Sequence, residues 1–396
     1  MHAPRLPPEL FDAIIDHLHD DRHTLATCAL VCRGWLPASR MHNFHELSIH
    51  RYSISQQPCE LLCDSTSTVL PYVRRLRLDL GGSSRDSAST FAFESPWLNS
   101  MLPRMRLREL TALQHFELRC LRWEYLSPES RACILAACNY VRSLTLQTLV
   151  SPTVSPALEM LSAAPLIEHF ELSRSVHIGD DRTILDSSSP SFVDWRMPGT
   201  LRSVTIGIRC PFFLVALDRF TPALRIRTLS VTYVEWQEAR NVAAFMKSCG
   251  PSLEHVHVTF GPSDSDHSSG ADMFREAGGF SFNTSLRTLT LSTYPHAAPM
   301  LSVLQQVPSS VMEIVRVVAT SQSLKTVDLV GLASVFRAGP LSAARLEIIV
   351  IVNDVADSLV EARGILHQCF ATLEVEGRFV LGRVDRFGKD LPPLGV

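Results

Sequence analysis

Histidine, aspartate and cysteine are the side chains here with the chemistry to ligate a metal or activate a nucleophile, and their spacing limits what they can do. The densest group is Asp16-His17-Leu18-His19-Asp20-Asp21-Arg22-His23. It holds enough donors for a cation, but it lies where an apolar helical pattern ends, which favours a solvated turn over a metal site. His255 and His257 stand two apart in a strand-like segment, so they share one face where two imidazoles can chelate. The neighbours expected one strand away, Ser230, Thr232, Thr288 and Thr290, are poor third ligands. Among ten cysteines there is no Cys-x-x-Cys, and Cys28/Cys32 and Cys59/Cys63 are spaced as small apolar groups on one helix face. Gly-x-Ser-x-Gly, His-Glu-x-x-His, Gly-x-Gly-x-x-Gly and a phosphate loop are all missing. The expectation is a chain that is not an enzyme, with no catalytic residue, no metal and no cofactor.

Composition narrows the partners. The 396 residues exceed one compact core and suffice for two or three domains or one elongated array. Hydrophobic residues at 46% and charged ones at 19% imply that most of the chain folds. A formal net charge of −3 supplies no global drive toward nucleic acid or anionic membrane. The longest apolar run, residues 348–352, is far below the ~20 residues a membrane helix needs. No apolar stretch follows Met1-His2-Ala3-Pro4-Arg5, so no secretory signal is read. Cysteine usage fits a reducing compartment. These readings predict a cytoplasmic and/or nuclear protein without nucleic-acid or membrane partners.

The elements that would carry function begin at the N-terminus. Pro7 and Pro8 suit the first turn of a helix, which has no intrahelical use for their missing N–H. Leu10, Ile14, Ile15 and Leu18 then form one apolar stripe. Thr24 is the cap expected for a second helix with Leu25, Cys28, Ala29 and Cys32 on its apolar side. Gly34 breaks that helix and Trp35 anchors the exit. The pattern resembles the F-box: the family's Leu-Pro opening matches Leu6-Pro7, its Glu-Leu matches Glu9-Leu10, and its apolar pair matches Ile14-Ile15. Its closing Val-Cys-Arg-x-Trp matches Val31-Cys32-Arg33-Gly34-Trp35 without a gap. Gly34 departs from the helix-favouring residue usual there, which predicts a late start for the third helix. The other reading of residues 1–45 is a helical hairpin capping a larger domain.

A six-residue pattern, apolar-x-x-apolar-x-apolar, fills the rest. It opens at Phe44, Val73, Leu113, Val141, Ile167, Leu201, Ile226, Leu253, Leu286, Leu324 and Leu346, often with Arg or Glu in second place. The intervals are 29, 40, 28, 26, 34, 25, 27, 33, 38 and 22 residues, most of them near the period of leucine-rich repeats. Alternation at the last positions predicts strands. Helix-like stretches at 130–140, 155–164, 213–220, 237–249 and 300–307 lie between them, several closed by Pro or Gly. Strand, return helix, strand at short period predicts parallel strands in a solenoid. The Ser/Asp/Gly-rich stretches 81–86, 186–191 and 261–270 read as surface insertions. The array resembles leucine-rich-repeat proteins, although the Asn or Cys expected after the strand is absent and Cys120 sits one place early. The fold expected is α/β: a small helical F-box over residues 1–45, then an irregular leucine-rich-repeat-like solenoid over 46–396, an arrangement similar to F-box-like proteins abundant in fungi.

The register also nominates a surface. The third, fifth and seventh pattern positions point away from the core. Early repeats put Arg75, Arg77, Asp79, His115, Glu117, Arg119, His169 and Glu171 there, and middle repeats put Ser and Thr. Solubility explains the hydroxyls; the charged residues are candidates for substrate binding, since solenoids bind through this face. In the strand opened by Leu346, apolar residues fall on both faces, so a cover from 356–370 or 373–381 is expected. The resemblance implies a substrate receptor of a Skp–cullin–F-box ubiquitin ligase. Leu6, Pro7, Leu10, Ile14, Leu25, Val31 and Trp35 would form the box, partly as core and partly as contact to a Skp-type adaptor. The array would hold an unknown protein substrate, and the contribution to chemistry would be proximity alone. The alternatives are a non-catalytic scaffold outside any ligase and a small-molecule receptor.

Overall fold

The computed structural model describes residues 7–50, 57–80, 96–151, 153–176, 197–208, 211–220, 225–261, 270–293, 300–308, 310–324, 327–339, 341–352 and 357–385. Leu6, the stretches 81–86 and 186–191, and positions 262–269 of the third insertion lie outside them. The chain is mixed α/β with parallel strands throughout, and divides into two compact units, Met1–Thr200 and Leu201–Val396.

The first unit opens with three helices, α1 (Pro8–Asp16), α2 (Arg22–Val31) and α3 (Leu36–Phe44). Pro7 precedes α1 in an extended conformation, and prolines occupy the first turns of α1 and α3. The α2 cap is Asp21 rather than Thr24: its carboxylate accepts from the backbone N–H groups of His23 and Thr24 and from the Thr24 hydroxyl at 2.6 Å. A carboxylate at Ncap reaches two orphan N–H groups and also suits the helix dipole. α3 begins at Leu36, one residue beyond Trp35.

The unit continues as β1 (Glu46–His50), α4 (Gln57–Cys63), β2 (Arg75–Asp79), α5 (Pro96–Met101), β3 (His115–Arg122), α6 (Pro128–Cys138), β4 (Ser143–Val150), α7 (Ser155–Ser162) and β5 (His169–Val176). Each strand pairs in parallel with the next in chain order. The register aligns identical pattern positions: Leu76, Phe116, Leu144 and Phe170 form one buried row, and Leu78, Leu118, Leu146 and Leu172 the next. The first pattern positions Val73, Leu113, Val141 and Ile167 are fully buried at the strand entry. At that entry one backbone carbonyl accepts two N–H groups from the next strand: Arg74 takes Gln114 and His115, Gln114 takes Arg142 and Ser143, and Arg142 takes Glu168 and His169.

The second unit repeats the scheme with β6 (Ser203–Ile208), α8 (Pro211–Phe220), β7 (Thr228–Val234), α9 (Ala239–Cys249), β8 (His255–Phe260), α10 (Gly270–Glu276), β9 (Thr288–Thr293) and α11 (Met300–Leu304). β10 (Ile314–Thr320), α12 (Ser321–Leu324), α13 (Leu329–Ala338), β11 (Arg345–Val352), α14 (Asp357–Val375) and β12 (Phe379–Asp385) follow. Pairing is again parallel and in chain order. The charged second positions acquire a reason here. Arg227 lies 3.7 Å from Glu254 and Arg287 2.7 Å from Glu313, as Arg142 lies 2.7 Å from Glu168 in the first unit. Alternating charge on successive strands makes a rim of cross-strand ion pairs.

Three expectations need correction. The pattern opened at Leu324 is not a strand: the chain is helical at α12 and α13, with Asp328 capping α13 by accepting from Gly331 N–H at 2.8 Å. The strand in its place is β10, which carries the same pattern as Met312-x-x-Val315-x-Val317. In β11 the phase is shifted: Leu346, Ile348 and Val350 face the core, while Ile349 and Ile351 stand on the other side. Nor does the segment 373–381 cover a face of β11, because β12 continues the sheet beside it.

Candidate functional site

The helical unit separates its apolar side chains into two sets. Ile15, Leu25 and Cys28 are buried between the helices. Trp35 is half-buried, its ring 5.8 Å from that of Phe11. His42 Nε2 meets Asp16 Oδ1 at 2.7 Å and ties α3 to the end of α1. Asp16 is thus engaged in the fold, and Asp21 is engaged at the α2 cap. Leu10 and Ile14 on α1 remain 48% and 44% exposed, and Leu30 and Val31 at the end of α2 remain 87% and 61% exposed. Pro7 is exposed as well. Leu25 therefore lies in the interior and Trp35 at its edge, while Pro7, Leu10, Ile14 and Val31 stay on the surface. Leu30 was not picked out by the sequence pattern; its place beside Val31 at the last turn of α2 is the signal that could have found it.

The strand face of the first unit gathers the charged residues into three cross-strand rows. Glu46, Arg75, His115, Ser143 and His169 form the row nearest the strand entry. Ser48, Arg77, Glu117, Thr145 and Glu171 form the second, and His50, Asp79, Arg119 and Gln147 the third. Glu117 is clamped from two sides, accepting from Arg77 Nε and from Arg119 Nε, each at 2.6 Å. Partial burial opposes its ionisation, but those two hydrogen bonds prevail and hold its carboxyl below the usual glutamate range. The same hydrogen bond raises the Arg77 guanidinium. Glu171 accepts from Ser173 Oγ at 2.5 Å. Glu117 thus engages both Arg77 and Arg119, while Glu171 has no ion pair among the described residues. In the first row, among the described residues, no carboxylate lies within ion-pair distance of Arg75, His115 or His169. Desolvation first, then repulsion from Arg75, His45 and His169, holds His115 below the ordinary imidazole range.

On the second unit the strand face is hydroxyl-rich from β6 to β9. His257 receives or donates hydrogen bonds with Ser230 Oγ at 3.3 Å and Ser292 Oγ at 3.0 Å, with Thr259 Oγ1 at 3.4 Å. Burial, then the Arg316 charge, holds its imidazole low. His255 and His257 share the face, but hydroxyls surround His257. Among the described residues no group of three or more His, Cys, Asp or Glu side chains is placed to hold a metal ion. Arg316 donates to Glu347 at 2.8 and 3.0 Å and closes that row. Between α12, α13 and α14 lies a cavity of about 270 Å³ lined by Leu324, Val327, Asp328, Leu329, Val330, Ile365, Leu366 and Cys369.

No protein-family model and no curated protein matches the chain. Among the described residues no helix is long and apolar enough to cross a membrane.

Proposed function

We propose that this protein is the non-catalytic substrate-recognition subunit of a Skp–cullin–F-box ubiquitin ligase, with residues 1–45 as the adaptor-binding box and 46–396 as the leucine-rich-repeat-like substrate-binding array. The observation that carries this reading is the exposure of the large aliphatic residues Leu10, Ile14, Leu30 and Val31 on a three-helix unit whose small core is Ile15, Leu25 and Cys28. Large aliphatic side chains left in water on a small unit cost roughly 1.5–3 kcal/mol each relative to burial, which a docking partner recovers. Those side chains fall within the stretch, from Leu6 to Trp35, that carries the F-box pattern. The strand face of β2 to β5 is the proposed substrate surface, with Arg75, Arg77, His115, Glu117, Arg119, His169 and Glu171 upon it. The cytoplasm and nucleus are the compartments in which such a ligase works.

Replacing Leu6 and Pro7 together with alanine tests the box. The double variant should lose co-purification with a Skp-type adaptor while the circular dichroism of the full chain is unchanged. Retained adaptor binding would remove the assignment of those two contacts. A small-molecule receptor is the second reading, favoured by the cavity among α12, α13 and α14. Its apolar lining suits a hydrophobic compound.

A further inference from the structure

We propose that the strand-entry row Arg75–His115–His169 on the first unit binds an acidic peptide segment, and that it does so more tightly as pH falls. This inference rests on the reading of that face as the substrate surface and names the chemistry of what is held there.

The argument begins with charge that the fold leaves unspent. In the second row Glu117 satisfies both Arg77 and Arg119, so those guanidiniums have little to offer a ligand. In the first row, Arg75 and His115 are cross-strand partners, and His169 follows one strand beyond the uncharged Ser143. Arg75 and His169 are exposed and His115 is half-buried. Arg74, at the entry to the same strand, is exposed too. Glu46 faces Arg75 across the β1–β2 register yet lies beyond ion-pair distance. The row is thus near neutral when its imidazoles are unprotonated, with Arg75 set against Glu46.

Protonation changes that balance. The groups facing His115 are Arg75 from β2, His45 from the entry to β1, Ser143 from β4 and His169 from β5. The charged ones among them are all basic, so each proton taken up adds an uncompensated positive charge. A carboxylate laid across the row relieves the repulsion, and by linkage it binds more tightly once His115 carries a proton. Successive strands are about 4.8 Å apart, so the span from β2 to β5 suits several residues of extended peptide rather than a single small anion.

The probe is a fluorescein-labelled decapeptide of alternating Glu and Ser, measured by fluorescence anisotropy with the full chain, against the same peptide with Gln in place of Glu. Binding of the acidic peptide should be about fivefold to tenfold tighter at about pH 5.5 than at about pH 7.5, across the imidazole range. His115→Gln combined with His169→Gln should erase that pH dependence, and Arg75→Gln should weaken binding at both pH values. Equal binding of the Gln peptide, or a pH dependence that survives the double histidine change, would overturn the inference. Adaptor co-purification from the same preparations keeps the two claims apart. Acidic-peptide binding absent with adaptor bound defeats this inference alone, and acidic-peptide binding present with adaptor unbound supports it while defeating the ligase reading.

Discussion

Cys120 and Thr148 occupy the same position on adjacent strands, and both have left-handed backbone, with φ of 53° and 60°. Each lies two residues after the second buried pattern position, Leu118 in β3 and Leu146 in β4. Tyr233 stands at the equivalent place after Val231 in β7, with φ of 64°, where the pairing with β8 shifts register. The strands thus pass through a left-handed kink, rare for side-chain-bearing residues other than Asn, Asp and His, before pairing resumes at Leu121–Leu149 and at Val234–Phe260.

Thr148→Gly should therefore stabilise the protein by about 1 kcal/mol, since a β-branched residue pays most in this region and glycine pays least. Urea unfolding followed by circular dichroism checks it. A loss of stability would mean that Thr148 makes contacts worth more than the backbone strain.

Leu144→Ala should cost roughly 2–5 kcal/mol, the range for truncating a core leucine. Thr145→Ala, one residue along and on the opposite face, should stay within about 0.5 kcal/mol. Leu144 is fully buried and aligned with Phe116 and Phe170, whereas Thr145 is aligned with Glu117 and Glu171. Equal costs in chemical denaturation would contradict the two-faced strand.

Glu117→Gln should cost roughly 1–2 kcal/mol, a charge-assisted pair of hydrogen bonds discounted for partial exposure. The variant leaves Arg77 and Arg119 without the carboxylate that bridges and neutralises them. A neutral effect on the unfolding midpoint would show that solvent already screens the clamp.

The pH dependence of stability follows from three histidines. His45, His115 and His257 are all held below the ordinary value of 6.5, chiefly by burial. The folded chain then binds fewer protons than the unfolded chain as pH drops through that value. Stability should be complete above it and decline as pH falls toward the folded-state values. His257→Asn should flatten part of the decline in urea midpoints measured from about pH 7.5 to about pH 5.5. An unchanged slope would count against a depressed imidazole at His257.

Much of the array was legible because burial and alternation coincide. Phe116, Leu118, Leu144 and Leu146 read as core from the sequence and are core in the structure. The failures have physical causes. In Val327-Asp328-Leu329 the alternation mimics a strand, but Asp328 is a helix cap and starts α13. Met312 as an opening residue hid β10, although its thioether fills the position that leucine holds elsewhere. In β11 the run from Ile348 to Val352 is apolar at both parities, so only pairing with β10, Leu346 against Val315, sets the phase. The charged residues of the strand face were placed correctly on one side of the sheet. Which of them neutralise one another was not readable, because the pairing of Glu117 with Arg77 and Arg119 depends on a cross-strand neighbour 40 residues away. On the helical unit the pattern found Leu10, Ile14 and Val31 but could not tell them from the buried Leu25, since exposure is decided by how α1, α2 and α3 meet.

The central claim is that the exposed apolar residues of the helical unit receive an adaptor. Its most direct measurement is the affinity of a purified Skp-type adaptor for the full chain, compared with a variant carrying Leu10→Glu and Ile14→Glu. Both side chains are close to half exposed and outside the buried set Ile15, Leu25 and Cys28, so the variant should keep its circular dichroism spectrum. The account predicts a stable complex with the unaltered chain and at least a hundredfold weaker binding of the variant, about 2.7 kcal/mol for two charges placed in an apolar contact. An adaptor that fails to bind the unaltered chain, or that binds both forms equally, would contradict it.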